Sequence, residues 1–127
     1  MLFYSTKHQS APVNFETVVM QGLPPDNGLY MPEVTPNMPF EYWDEITDLS
    51  FPEMSYQFAH LLLQDSLPAD VLKKVVYEAI NFEAPIKELT PRLRCLELFH
   101  GPSHAFKDFG ARFMAQVMSY YVQQSHK

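Results

Sequence analysis

The chain has 127 residues, of which 46% are hydrophobic and 19% charged, and its formal net charge is -6. This composition is typical of a soluble globular chain of one-domain size and argues against a disordered one. The acidic balance without a basic patch excludes a nucleic-acid surface, and no apolar run approaches the roughly 20 residues that cross a membrane. A single cysteine, Cys95, and a start without a secretory signal indicate a cytoplasmic protein.

The first half of the chain is predicted to contain short elements separated by turns, because most of the 11 prolines precede position 53. Asn14 is a good N-cap for a short helix that ends before Gly22. Asn27 and Gly28 form a strong turn signal. The remaining predictions for this half are strands at 2–6 and 29–31 and a short helix at 41–46.

The second half is predicted to begin with a helical hairpin connected through residues 64–67. Ser55 would cap a helix over 56–64, and Pro68 would open a helix that ends near residue 82. Its apolar face combines Val71, Leu72, Val75, Val76, Ala79 and Ile80.

Two extended segments, at 85–89 and 93–99, precede a last helix over 105–122. The second segment reads as a buried strand, in which Cys95 would be a small buried hydrophobe. The apolar stripe of the last helix consists of Phe106, Phe109, Phe113, Met114, Val117 and Tyr121.

The residues with chemical potential lie where the last strand passes through a tight loop into this helix. Lys107 falls in the helix's first turn, where the partial positive charge of the helix N-terminus favours a neutral amine. Burial among Phe99, Phe106 and Phe109 would act in the same direction, and a neutral lysine amine can attack a carbonyl. The alternative is a surface lysine paired with Asp108 or Glu97, and charge placement by itself favours that alternative.

A metal site is not expected in this loop. His100 and His104 are four residues apart, but Gly101 and Pro102 prevent helical geometry between them. No carboxylate or cysteine completes a ligand set.

The segment 98–113, Leu-Phe-His-Gly-Pro-Ser-His-Ala-Phe-Lys-Asp-Phe-Gly-Ala-Arg-Phe, resembles the cofactor-lysine segment of threonine synthases. The opening Tyr-Ser-Thr-Lys at 4–7 and the blocks at 15–16, 21–23, 26–30 and 32–33 resemble the beginning of that family. Two departures occur: Lys7-His8 stands where Arg-Gly is usual, and Ser103-His104 where threonine and an apolar residue are frequent.

The resemblance implies an enzyme that uses pyridoxal phosphate, with Lys107 as the catalytic lysine that forms an imine with the cofactor. Ser103 would lie near the cofactor, and the substrate would be O-phosphohomoserine, converted with water to threonine and phosphate. A phospho-lyase that releases a keto acid and a non-catalytic oligomerisation or interaction module are the alternatives. Asp108 is better interpreted as an acid that compensates the helix dipole than as a catalytic group.

The resemblance also implies an α/β architecture in two parts. Residues 1–90 would form the α+β N-terminal domain of threonine synthases, and residues 91–127 the first strand and helix of a truncated cofactor-binding catalytic domain. The four glycines form no phosphate-binding loop, so the chain alone is expected to be inactive and without cofactor. An exposed apolar stripe on the last helix would then favour self-association.

Overall fold

The computed structural model describes residues 1–63 and 66–125, in which short strands and helices alternate. In chain order the elements are β1 (Leu2–Ser5), β2 (Val13–Asn14), α1 (Phe15–Gln21), β3 (Tyr30–Pro32), α2 (Phe40–Glu45), a 3-10 turn (Ile46–Asp48), α3 (Phe51–Leu63), α4 (Ala69–Ala79), β4 (Ile86–Thr90), β5 (Leu93–Leu96) and α5 (Lys107–Ser125). This mixture confirms the predicted α/β class. Within the described ranges, no helix is long and apolar enough to span a membrane.

The N-terminal strands form an antiparallel sheet with the order β2-β1-β3. Asp26, in the turn before β3, fastens β1 to the loops around it. Its carboxylate accepts hydrogen bonds from Ser5 Oγ at 2.6 Å, Gly28 N at 2.9 Å and Gln9 N at 3.1 Å. A side chain at Gly28 would collide with the Ser5 hydroxyl, so the close approach requires glycine. Both strands predicted in this region are confirmed to within one residue.

The short helix α1 begins and ends where its capping residues predict. Asn14 Oδ1 accepts a hydrogen bond from Thr17 N at 2.9 Å. Gly22 follows the helix with a φ of 75°, and its N–H donates to Val18 O at 3.0 Å. Local signals therefore suffice to set α1, whereas α2 forms within one residue of its predicted position without a side-chain cap.

The prediction for the start of α3 is wrong by five residues, because the helix begins at Phe51. Ser55 is not its cap: it lies inside the helix and its hydroxyl donates to Phe51 O at 2.7 Å. The capping oxygen belongs to Ser50, which accepts from Glu53 N at 3.3 Å. Pro52 then occupies the first turn, where its missing N–H costs nothing. The predicted end at residue 64, and part of the predicted connection, lie outside the described residues.

The core lies between α1, α3, α4 and α5, and the predicted apolar face of α4 is confirmed. Leu72 and Val76 are fully buried on this face, and Val117 of α5 packs into the same cluster. Tyr121 closes the cluster, with its hydroxyl donating to Ser66 O at 2.9 Å. Burying each such aliphatic side chain stabilises the fold by roughly 1.5–3 kcal/mol. The predicted hairpin partner, α3, packs along α4 and is joined to it by a hydrogen bond from Tyr77 to Glu53.

The segment after α4 is an antiparallel hairpin of β4 and β5, which confirms the two extended segments. The prediction that the second is buried is wrong, because every residue of both strands is exposed. Cys95 is likewise an exposed free cysteine and not a buried hydrophobe. An apolar sequence specifies a strand that can be buried, but burial also needs a second layer, and no element of the described chain covers this hairpin.

Candidate functional site

The loop between β5 and α5, residues 97–106, delivers Lys107 to the first turn of the last helix. The helix begins two residues later than predicted, within the usual uncertainty of helix ends. Its first turn closes through hydrogen bonds from Asp108 N to Ala105 O at 3.1 Å and from Phe109 N to Phe106 O at 3.3 Å. The loop-to-helix junction expected from the sequence is therefore present.

The Lys107 amine has no partner among the residues that the structure describes, in either hydrogen bonds or ion pairs. Both carboxylates proposed as surface partners are engaged elsewhere. Glu97 Oε2 lies 2.7 Å from His100 Nε2, and Asp108 is bound by Ser103. The ion pair of that alternative is therefore not formed among the described residues, whereas Lys107 does lie at the surface, as the same alternative expects.

The expected burial of Lys107 among three aromatic rings is also wrong for this chain. Lys107 is exposed, and Phe99 and Phe106 are 49% and 72% exposed. Phe109 packs inward instead, with its ring centroid 4.6 Å from that of Phe82. The reason is geometric, because Phe106 precedes the helix while Phe109 lies on its core-facing side.

Asp108 organises the loop that precedes it. Its Oδ2 accepts a hydrogen bond from Ser103 N at 2.8 Å, and its Oδ1 accepts one from Ser103 Oγ at 2.6 Å. Asp108 as a residue is buried, with 8% of its surface exposed. Asp108 therefore does more than compensate the dipole of α5, because it fixes the position of a residue five places earlier.

The electrostatics of this contact favour the charged carboxylate. The hydrogen bond from the Ser103 hydroxyl is the main reason that the pKa of Asp108 lies below its usual value. The Ser103 N–H, the Arg112 charge and a backbone hydrogen bond near Ala105 lower this pKa further, while burial opposes them. The Asp108 carboxylate is consequently charged at neutral pH, where both hydrogen bonds from Ser103 are formed.

Two backbone features accompany the Asp108 contact. Gly101 is buried against the carboxylate, and a Cβ placed there would lie 2.7 Å from Asp108 Cβ and 2.9 Å from its Cγ. His104 has a φ of 56°, a left-handed conformation that side chains rarely adopt, and its N–H donates to Gly101 O at 3.0 Å. The loop is thus tightly folded around one acidic side chain.

Arg112 anchors α5 to the C-terminus of α4, a role that the sequence did not indicate. Its Nε donates to Ala79 O at 3.0 Å, and its Nη2 donates to Glu78 O at 2.7 Å and to Asn81 Oδ1 at 3.0 Å. These partners include carbonyls that a helix end leaves without an intrahelical donor. No signal in the sequence could have paired residues more than 30 positions apart.

The histidines of the loop do not come together as metal ligands. Across residues 1–63 and 66–125, no group of three or more histidine, cysteine, aspartate or glutamate residues could hold a metal ion. His100 is instead paired with Glu97 and stacked on Phe99, with ring centroids 4.8 Å apart.

The loop residues fit an aldehyde cofactor at the amine and restrict how Ser103 could contact it. Lys107 offers an accessible amine without a competing acid. The Ser103 hydroxyl proton points to Asp108, so in this arrangement the hydroxyl could only accept a hydrogen bond from another group. A nearby cofactor phosphate would need its donors from elsewhere.

Comparison with known proteins places this chain in a family. Residues 2–80 match the model for the threonine synthase N terminus. The chain is 40% identical over 119 residues to a threonine synthase of Haemophilus influenzae, a match that covers 94% of this chain and 28% of that protein. The chain thus spans little more than a quarter of the length of the curated relatives it matches.

Two solved structures share the fold. The threonine synthase of Escherichia coli superposes with a TM-score of 0.89 at 38% identity, covering 94% of this chain and 28% of that one. The pyridoxal-phosphate-bound threonine synthase of Brucella melitensis superposes with a TM-score of 0.92 at 28% identity, covering all of this chain and 28% of that one. Since the family model alone matches more than half of the residues, this chain belongs to the threonine synthase N-terminus family.

Proposed function

We propose that the full-length protein that carries this chain is a threonine synthase that depends on pyridoxal phosphate. It converts O-phosphohomoserine and water to threonine and phosphate, and Lys107 is the lysine that binds the cofactor. The named relatives and the cofactor-bound neighbour support this assignment. The observation that carries it is the unpaired Lys107 amine, presented at a loop-to-helix junction whose nearby carboxylates are both occupied.

Lys107 would serve this reaction in two ways. When bound, pyridoxal phosphate acts as an electron sink that stabilises carbanions next to the substrate nitrogen. Lys107 would hold the cofactor, and its amine could also carry protons between neighbouring carbon atoms of the substrate. Ser103 lies four residues before it and contributes to the cofactor's surroundings, chiefly through its contact with Asp108.

We further propose that the chain contributes to two domains, residues 1–90 and residues 91–127. The family match ends at residue 80, before the β4–β5 hairpin. A division between residues 90 and 91 lies in the turn of that hairpin, so the two strands would belong to different domains.

The 127 residues alone would hold the cofactor weakly, since one amine without phosphate contacts is a poor site. A cytoplasmic location is supported by the free thiol of Cys95.

Self-association through α5 would involve fewer groups than its apolar stripe suggests. Val117 and Tyr121 are buried and Phe109 is half-buried, which leaves Met114 and Val122 as exposed apolar side chains within the helix. We therefore propose such association only as a weak property of the chain.

Chemical trapping of the cofactor tests the role of Lys107. The full-length protein is incubated with pyridoxal phosphate, reduced with borohydride and digested, and the modified peptide is identified by mass spectrometry. Modification is expected at Lys107, and Lys107→Ala should abolish it. Lys74→Ala is the matched control, because Lys74 is an exposed helical lysine paired only with Glu78 at 3.8 Å. Modification at other lysines, or none, would instead favour a non-catalytic interaction module.

The products distinguish the proposed reaction from phosphate elimination. With O-phosphohomoserine, the protein should release phosphate and threonine in equal amounts. Release of phosphate with a keto acid in place of threonine would identify a phospho-lyase. The Lys107→Ala variant should form neither product at a measurable rate.

A further inference from the structure

We propose that Asp108 is the positioning residue of this site, which holds the loop 101–106 so that Lys107 presents its amine unpaired. The inference rests on the proposed function, which identifies the cofactor that Lys107 binds. Its geometric basis lies in the contacts of Asp108 alone.

The contacts of Asp108 exceed what an ordinary acid in a first helical turn needs. Asp70 occupies the corresponding region of α4 and is exposed, as expected for an acid that only compensates a dipole. Asp108 is buried, and each of its carboxylate oxygens accepts a hydrogen bond from Ser103. Burying a carboxylate is costly unless hydrogen bonds compensate. Here Ser103 supplies one hydrogen bond to each carboxylate oxygen.

Two further features of the loop agree with a positioning role for Asp108. Gly101 leaves the space that the Asp108 carboxylate occupies, and any side chain there would displace it. His104 adopts a left-handed backbone conformation, which persists only where the surroundings hold it in place. Both features lie on the loop that Asp108 fastens through Ser103, and Gly101 lies directly against the Asp108 carboxylate.

The consequence for Lys107 follows from the occupied carboxylate. Neighbouring residues on a helix do not face each other, and Asp108 is turned back toward Ser103. The Lys107 amine is therefore left without a carboxylate in ion-pair contact among the residues that the structure describes. If the contact with Ser103 is lost, the loop relaxes and the junction no longer fixes the amine for attack on an aldehyde.

The proposal is tested in the full-length protein with variants on both sides of the contact. Asp108→Ala removes both hydrogen bonds, Ser103→Ala removes the hydroxyl bond, and Ser103→Thr retains it. Asp70→Ala is the control for loss of an acid from a first helical turn. Far-UV circular dichroism identifies the variants that fold. If Asp108→Ala does not fold, Ser103→Ala still tests the contact.

Two measurements are made on each variant. Amide hydrogen exchange of a peptide covering 101–109, in cofactor-free protein, reports the order of the loop. The initial rate at which borohydride traps pyridoxal phosphate on Lys107 reports the presentation of the amine. Asp108→Ala should exchange about tenfold faster and trap about tenfold more slowly, as expected for a lost hydrogen bond to a charged group. Ser103→Ala should change both in the same directions. Ser103→Thr, which retains the hydroxyl, should keep the slow exchange of the 101–109 peptide, and Asp70→Ala should match the unaltered protein in both measurements.

The outcomes separate this inference from the proposed function. If the unaltered protein forms no adduct at Lys107, the proposed function fails, while exchange of the 101–109 peptide still decides whether Asp108 orders the loop. If Asp108→Ala exchanges and traps like the unaltered protein, the inference is overturned. Faster exchange with unchanged trapping also overturns it, because Asp108 would then be structural and would not position Lys107.

Discussion

Replacement of Arg112 by methionine tests how α5 is fixed to the rest of the fold. Arg112→Met keeps an unbranched apolar stem and removes the guanidinium group, which donates to Ala79 O, Glu78 O and Asn81 Oδ1. The guanidinium also lies 5.8 Å from the ring centroid of Phe82. All of these contacts gather at the C-terminus of α4, so their loss should separate the two helices locally.

The magnitude follows from the exposure of each contact. The bond to Ala79 O is partly buried and charge-assisted, and contributes about 1.5 kcal/mol. The two bonds from Nη2 are exposed and together contribute about 0.5–1 kcal/mol. A cation at the C-terminal end of a helix adds roughly 0.3–0.5 kcal/mol. Arg112→Met should therefore lower the free energy of unfolding by about 2–3 kcal/mol.

Urea unfolding, followed by far-UV circular dichroism, measures this change. With a dependence on urea of about 2 kcal/mol per molar, the transition midpoint should fall by about 1–1.5 M without a change of slope. Arg112→Lys retains the charge and loses the planar fork, so about half of the effect should remain. A midpoint for Arg112→Met that matches the unaltered chain would refute the view that Arg112 anchors α5 on α4.

Three further predictions concern other parts of the chain. Leu72→Ala should lower the free energy of unfolding by about 2–5 kcal/mol, because Leu72 is fully buried, and a loss below 1 kcal/mol in the same urea assay would contradict its place in the core. The hydrogen bond from Ser5 is the main cause that lowers the pKa of Asp26 from 3.8 to about 2. The stability that Asp26 contributes should thus be complete above the pKa of its unfolded form and be lost as the pH falls toward 2. Faster hydrogen exchange of the Gly28 amide, which donates to Asp26, reports the loss, and Asp26→Asn should abolish this dependence. Cys95 is exposed, so it should react with a thiol reagent without prior unfolding; slow modification of the folded chain would contradict that exposure.

The elements set by local signals could be predicted from the sequence. The side chain of Asn14 and the backbone of Gly22 determine the two ends of α1, and the apolar face of α4 has helical spacing. The start of α3 shows the limit of such signals. Ser50 and Ser55 could each cap a helix, and in the structure Ser50 accepts from Glu53 N while Ser55 lies inside the helix.

Burial and long-range contacts could not be predicted, because they depend on which surfaces meet. The residues of β5 have the apolar pattern of a buried strand, yet each is exposed where no second layer covers it. Arg112 finds its partners more than 30 positions earlier. The five-residue contact between Ser103 and Asp108 is short in sequence, but it depends on a tight loop that periodicity does not describe.

Lys107 illustrates how structure reverses an inference from charge placement. In the sequence, an acid next to a lysine and another acid ten residues earlier favour a surface ion pair. In the fold, Asp108 points back to Ser103 and Glu97 contacts His100, so both carboxylates have hydrogen-bond partners other than Lys107. Proximity in sequence therefore does not measure the electrostatic environment of an amine. What matters is whether each nearby carboxylate has a better-placed partner, and here each does, which leaves the Lys107 amine unpaired among the residues that the structure describes.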